Sequence, residues 1–312
     1  MNKTTKTVVW IVVLALIVWG LSSLSGKAPA EPLNNEPIKI GYVGPFTGPV
    51  ASTSGEDVGN GWKLAVSNRG EVAGRKVEVI YEDDACDPKK AVSAAQKLIS
   101  VDKVKILVNG VCSGSMVAMG PIAEQAKVIL FTPVSTSPKI SELGDYVFRT
   151  SGSAVHTASA MSNFLGDKGY TKVALMYENA EYVVGIKDAL LGQGLSPAIS
   201  EGFNSSETDL RTHLLKVSQS KPDVLVLVTN STVTGVAAIN QLKDLKIDLP
   251  ILANEYFAFS TIVENLAADG VYAAQYQYDP LAKPFVDFVE QYKSVYGKLP
   301  SQNIYATLPS DG

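Results

Sequence analysis

The chain has 312 residues, 46% of them hydrophobic, enough for about two domains with ample cores on a prior of ~150 residues per domain. Its 27 Lys and Arg stand against 31 Asp and Glu, a net charge of −4 with no basic block, so the electrostatic footprint of a nucleic-acid binder is missing.

The first thirty residues form a unit of their own. Lys3 and Lys6 precede an apolar run from Val8 to Leu21, and the small residues SSLSGKAPA follow, which is the plan of a secretory signal cleaved after Ala28-Pro29-Ala30. Fourteen residues fall short of the ~20 that span a bilayer as a helix. Extension through Ser22 and Ser23 to Leu24 gives the competing reading, an uncleaved anchor over residues 8–24. Both readings export the body, to the periplasm or the cell surface. Residues 1–30 carry three lysines and no acid, so cleavage leaves 24 bases against 31 acids, a net of −7. No cysteine follows the apolar run, which disfavours a simple lipoprotein.

Residues 31–37, EPLNNEP, read as a polar tether bracketed by prolines. A first buried strand runs from Ile38 to Val43, and the loop GPFTGPVASTSG leads from it into a helix with Val58, Trp62, Ala65 and Val66 on one stripe. A second strand covers Arg75 to Glu82. Asp87 and Pro88 then open a helix as N-cap and first-turn proline, its stripe formed by Ala91, Val92, Ala95, Leu98 and Ile99. The glycines at 41, 44 and 48 do not give G-x-G-x-x-G, and no G-x-x-x-x-G-K-[ST] exists, which argues against a nucleotide enzyme.

Residues 105–137 organise the chain as strand, helix and strand: KILVNG, then MVAMGPIAEQAK after VCSGS, then VILF closed by TPVSTSP. Met116, Met119 or Gly120, Ala123 and Ala126 fall on one face of the helix. Parallel sheets bind ligands beyond the carboxyl ends of their strands, where helix N-termini offer free N–H groups. Ser113, Ser135 and Thr136 lie at such ends and are placed to hold a small anion or zwitterion; the plain alternative for each is an N-cap. Cys86 and Cys112 each follow a strand at the same sheet edge, and export favours their pairing as a disulfide. A metal centre or a nucleophilic cysteine would need histidine partners, and the two histidines, His156 and His213, sit in no recognisable motif.

A fresh alternation begins after residues 148–150. Helix 153–169, strand 172–177, helix 182–191, strand 196–203, helix 210–220, strand 224–228, helix 232–245 and strands 251–253 and 271–275 predict a second parallel sheet covered by helices. A final amphipathic helix from Pro284 to Tyr296 carries Phe285, Phe288, Val289 and Tyr292 on one stripe.

The motifs IKIGYVGPFTGP, YEDDACDPKKAV, CSGS, FTPVSTSP, ENAEY and FVEQYKSVYGKLPS together resemble the periplasmic binding proteins of branched-chain amino acid importers, the leucine/isoleucine/valine-binding family of the type I binding-protein fold. The resemblance extends from about Ile38 to Tyr305. It implies an α/β fold of two doubly wound parallel-sheet lobes joined by a hinge, with lobe one at 38–152, lobe two at 153–279 and a return to lobe one at 280–312. Family members continue further, so the return is expected to be incomplete and the C-terminus truncated. The resemblance also places the family's disulfide on Cys86 and Cys112.

By the same resemblance, Ser113 receives a ligand carboxylate, and the backbone of Val134 and Ser135 with the Thr136 hydroxyl holds both ends of a zwitterion. Tyr182 covers the ligand from lobe two, and Glu255 pairs with the ammonium. Taken alone, Glu255 and Tyr182 read more simply as a helix cap or surface charge and a core or rim aromatic. Two positions depart from the pattern: Thr53 stands where an aromatic is usual, and Asn230 falls near an expected second aromatic.

The implied function is capture of an amino acid, branched-chain-like or a related small carboxylate, for delivery to the membrane permease of an ABC importer. No cofactor, metal or nucleic acid is expected, and the protein is expected to be monomeric. A ligand sensor of the same fold, anchored by its N-terminal segment, is the alternative. An enzyme is disfavoured because no Ser-His-Asp, Cys-His or metal-spaced set can be read.

Overall fold

The computed structural model describes residues 36–258 and 270–300. The signal or anchor segment, the tether up to residue 35, and residues 301–312 lie outside them.

Two sheets carry the fold. In the first, β1 (Ile38–Gly44), β3 (Arg75–Asp83), β4 (Ile106–Asn109), β5 (Ile129–Thr132) and β6 (Val147–Arg149) run parallel in the order β3-β1-β4-β5-β6. A two-residue strand, β2 (Glu71–Val72), adds an antiparallel edge to β3. In the second, β7 (Val173–Glu178), β8 (Ile199–Phe203), β9 (Val224–Val228), β10 (Ile251–Ala253) and β11 (Val271–Ala273) are all parallel, in the order β11-β10-β9-β7-β8. Every residue of β9 is buried, as the VLVLV run requires of a strand covered on both faces.

The helices follow the expected places: α1 (Glu56–Arg69), α2 (Pro88–Ser100), α3 (Ser113–Ala126), α4 (Ala154–Asp167), α5 (Glu181–Gly192), α6 (Arg211–Gln219), α7 (Thr232–Asp244) and α8 (Lys283–Tyr296). Asp87 caps α2 by accepting the N–H groups of Lys89 and Lys90, with Pro88 in the first turn. Helix α3 buries Met116, Met119, Gly120 and Ala123, whereas Ala126, its last residue, is exposed. Leu64 joins Val58 and Trp62 on the buried side of α1, while Ala65 and Val66 are half-buried.

Strands β2 and β6 are too short, and too little alternating, to stand out in the sequence. β6 is fixed by its pairing to Thr132 and its neighbours in β5 rather than by its own pattern.

The chain leaves the first sheet after β6 and enters the second at α4. After β11 it returns, and α8 lays Phe288 and Tyr292 against Leu64 of α1. Both sheets, leaving the β2 edge aside, share one strand permutation in which the chain reverses direction beside the first strand. The reversal lies between β1 and β4 in the first sheet and between β7 and β9 in the second. Loops at such a reversal splay apart and leave a crevice at the carboxyl ends of the strands.

Candidate functional site

The two crevices open onto one cleft of about 360 Å³, within the range of small-molecule sites. The first sheet contributes the segments after β1, β3, β4 and β5; the second contributes those after β7, β8, β9 and β10. Ser113, Val134, Ser135, Thr136, Tyr182, Asn230 and Glu255 all line it. Thr53 lies in the single π-turn Ala51–Gly55, and its side chain falls outside the described residues.

Ser113 is the first residue of α3 and is buried. Its Oγ accepts the backbone N–H groups of Thr136 at 3.3 Å and Ser137 at 3.4 Å. With its lone pairs so engaged, the hydroxyl has its own proton left to donate into the cleft. The first turn of α3 adds N–H groups with no intrahelical acceptor, and the helix dipole favours negative charge there.

Ser135 plays a different part from Ser113. Its hydroxyl lies 2.8 Å from both Asn109 Oδ1 and the Val111 carbonyl, so it ties the β5 loop to the β4 loop beneath the cleft floor. Its carbonyl accepts the Ser151 hydroxyl at 2.6 Å. Thr136 Oγ1, by contrast, is buried and meets no partner at hydrogen-bond geometry among the described residues.

The rim on this side is fixed by acids and a crosslink. Asp83 accepts the N–H groups of Phe46, Thr47 and Ala85 and the Thr47 hydroxyl, which holds the β1 loop in place. Burial raises the Asp83 carboxyl, but these hydrogen bonds more than offset that and bring it below its ordinary value. Ala85 and Cys86 adopt left-handed backbone conformations, and the N–H of Cys86 is held by buried Asp84 at 2.9 Å. Cys86 and Cys112 form the expected disulfide, with Cα atoms 5.5 Å apart. Asp84, Cys86 and Cys112 are the only metal-ligand-like grouping among the described residues, and the disulfide removes both thiolates from it.

Across the cleft, Glu255 begins a short 3-10 turn after β10 and is buried. Three tyrosines surround it. Burial first, and the Glu255 charge second, push the phenols of Tyr182, Tyr256 and Tyr276 well above their ordinary range, so each keeps its proton. Tyr182 packs edge-on against Tyr256 at 6.0 Å and is oriented by Asn254, whose Nδ2 donates to Tyr182 Oη at 3.1 Å. Asn254 also brackets Thr229, accepting its N–H and donating to its carbonyl. Asn254, Tyr256 and Tyr276 were not legible as site residues. A polar residue after a three-residue strand was the one faint signal for Asn254, and Tyr276 lies in irregular chain without periodicity.

The halves touch through more than the cleft. Val58, Val111 and Val134 share an apolar cluster with Tyr256 and Phe257. Ser137 Oγ donates to Glu181 Oε1 at 2.9 Å, and Lys139 Nζ reaches Glu181 Oε2 at 3.0 Å. The histidines lie elsewhere: His156 accepts the Ser153 N–H in a capping box at the start of α4, and His213 lies between Glu201 and Glu207. The arrangement can bind a small molecule with a negative end and a positive end.

A family model described as periplasmic binding protein matches residues 37–308. The chain is 29% identical over 287 residues to the leucine-, isoleucine-, valine-, threonine- and alanine-binding protein of Pseudomonas aeruginosa, covering 88% of this chain and 74% of that one. It is 32% identical over 225 residues to an amino acid binding protein of the same organism, covering 68% of this chain and 58% of the relative. Among solved structures, a leucine-binding protein from Thermotoga maritima superposes with a TM-score of 0.77 at 26% identity, over 88% of this chain and 80% of that one.

Proposed function

The chain belongs to the periplasmic binding protein family that includes the leucine/isoleucine/valine-binding proteins, and from this premise we propose that it captures an α-amino acid in the cleft and delivers it to the permease of an ABC importer. One observation carries the reading: a hydroxyl with a free proton at a helix N-terminus, Ser113, faces an acid ringed by protonated phenols, Glu255, across one cleft. The carboxylate end of a zwitterion meets Ser113 and the first turn of α3, and the ammonium meets Glu255.

The lobes are residues 38–152 with 280 onward, and residues 153–279. Ligand contacts to both favour the closed arrangement, and the closed shape is what a permease recognises. Export follows from residues 1–30, with the body acting outside the cytoplasm as a monomer. A thermal-shift screen over amino acids, amides and aromatic acids tests the function, since a ligand of the folded state raises its stability by RT ln(1 + [L]/Kd). A raised midpoint with amino acids supports it. A response to aromatic acids alone would replace the zwitterion with a plain carboxylate.

A further inference from the structure

Glu178 is the last residue of β7, lines the same cleft and is 1% exposed. Its Oε2 accepts the Asn230 N–H at 2.8 Å, and among the described residues that is the one hydrogen bond its carboxylate makes. No Lys, Arg or His lines the cleft among those residues, while Glu181 at its rim is already held by Ser137 and Lys139. A buried carboxylate with one neutral donor is costly unless further donors reach it. In the amino-acid reading the ligand's ammonium belongs to Glu255, which leaves Glu178 without a cation. Asn230, half-buried beside it, stands near a position where the family resemblance leads one to expect an aromatic.

We propose that the ligand is an α-amino acid whose side chain ends in N–H donors, amide or cationic, and that Glu178 and Asn230 receive that end. This rests on the amino-acid reading above. An aliphatic side chain placed there would remove water from the Glu178 carboxylate and return no hydrogen bond, which is the penalty that lets a polar pocket reject an apolar isostere.

Calorimetry of the intact protein with two matched pairs tests this: asparagine against leucine, close in shape, and lysine against norleucine. The expected result is that at least one nitrogen-bearing ligand binds ten-fold or more tightly than its aliphatic partner. Glu178→Gln, which keeps an acceptor for Asn230 N–H, is expected to weaken that ligand about 10- to 100-fold and to change the aliphatic partner less than about three-fold. Tighter binding of leucine and norleucine than of their partners overturns the inference and leaves the amino-acid function standing. Equal losses for both members of a pair on Glu178→Gln also overturn it, because Glu178 would then act only through the fold. No binding by any of the four overturns the inference, and the amino-acid screen above decides the amino-acid reading separately. The wild-type ratios decide the matter even where the variant fails to fold.

Discussion

Ser113, at the start of α3, and Asp83, at the end of β3, both carry hydrogen-bonded side chains, and they do opposite things. Ser113 lines the cleft with its own hydroxyl proton uncommitted to the two N–H groups it accepts, while Asp83 uses its acceptors on the loop after β1. Because the folded Asp83 carboxyl sits below its ordinary value, its stabilisation is complete above the unfolded carboxylate pKa and is lost as pH falls through the depressed folded value. Asp83→Asn is therefore expected to lower the melting temperature at neutral pH, and the gap from wild type should close in the acid range below ordinary carboxylate values. A gap independent of pH would show that the charge plays no part.

Asn254 acts at the same scale through another residue: Asn254→Ala frees Tyr182 and strands the Thr229 backbone groups, with an expected loss of about 1–3 kcal/mol in denaturant unfolding. Ser113 was readable from its place after a buried strand, and the resemblance supplied Glu255. The web around them was not, because Asn254 and Tyr276 owe their positions to chain separated from them by tens of residues.

At the scale of elements, the α2–α3 region is tied by the Cys86–Cys112 disulfide as well as by packing. The two cysteines are 26 residues apart, and in the chain-entropy model such a crosslink is worth roughly 3–4 kcal/mol. The double variant Cys86→Ser, Cys112→Ser should lose about that much in denaturant unfolding, and thiol titration of the native protein should find no free cysteine. The strands and helices were legible almost throughout, since buried parallel strands and amphipathic helices write their periods into the chain. Strands β2 and β6 were not, because two or three residues hold no period.

The whole molecule depends on two lobes meeting closely. Gly185 of α5 lies against Pro138 of the opposite lobe, where an added Cβ would come within 2.9 Å of the proline ring. Leucine is a better helix former than glycine, so Gly185→Leu should fold while holding the lobes apart. Its ligand affinity is expected to fall at least about ten-fold through loss of the closed population, with the radius of gyration in scattering remaining at the ligand-free value when ligand is added. Normal compaction would show that α5 and the 138 loop do not meet in the closed state.

The proposed binding mode sets a ligand carboxylate at Ser113 and its ammonium at Glu255. Titration calorimetry of wild type, Ser113→Ala and Glu255→Gln against the best-binding amino acid tests it most directly. A buried hydrogen bond to a charged group is worth ~1.5–3 kcal/mol, so Ser113→Ala should weaken binding about 10- to 100-fold. Glu255→Gln should weaken the amino acid by more than it weakens the matching carboxylic acid without the ammonium. A tight ligand that lacks a carboxylate, with an affinity untouched by Ser113→Ala, would contradict the claim.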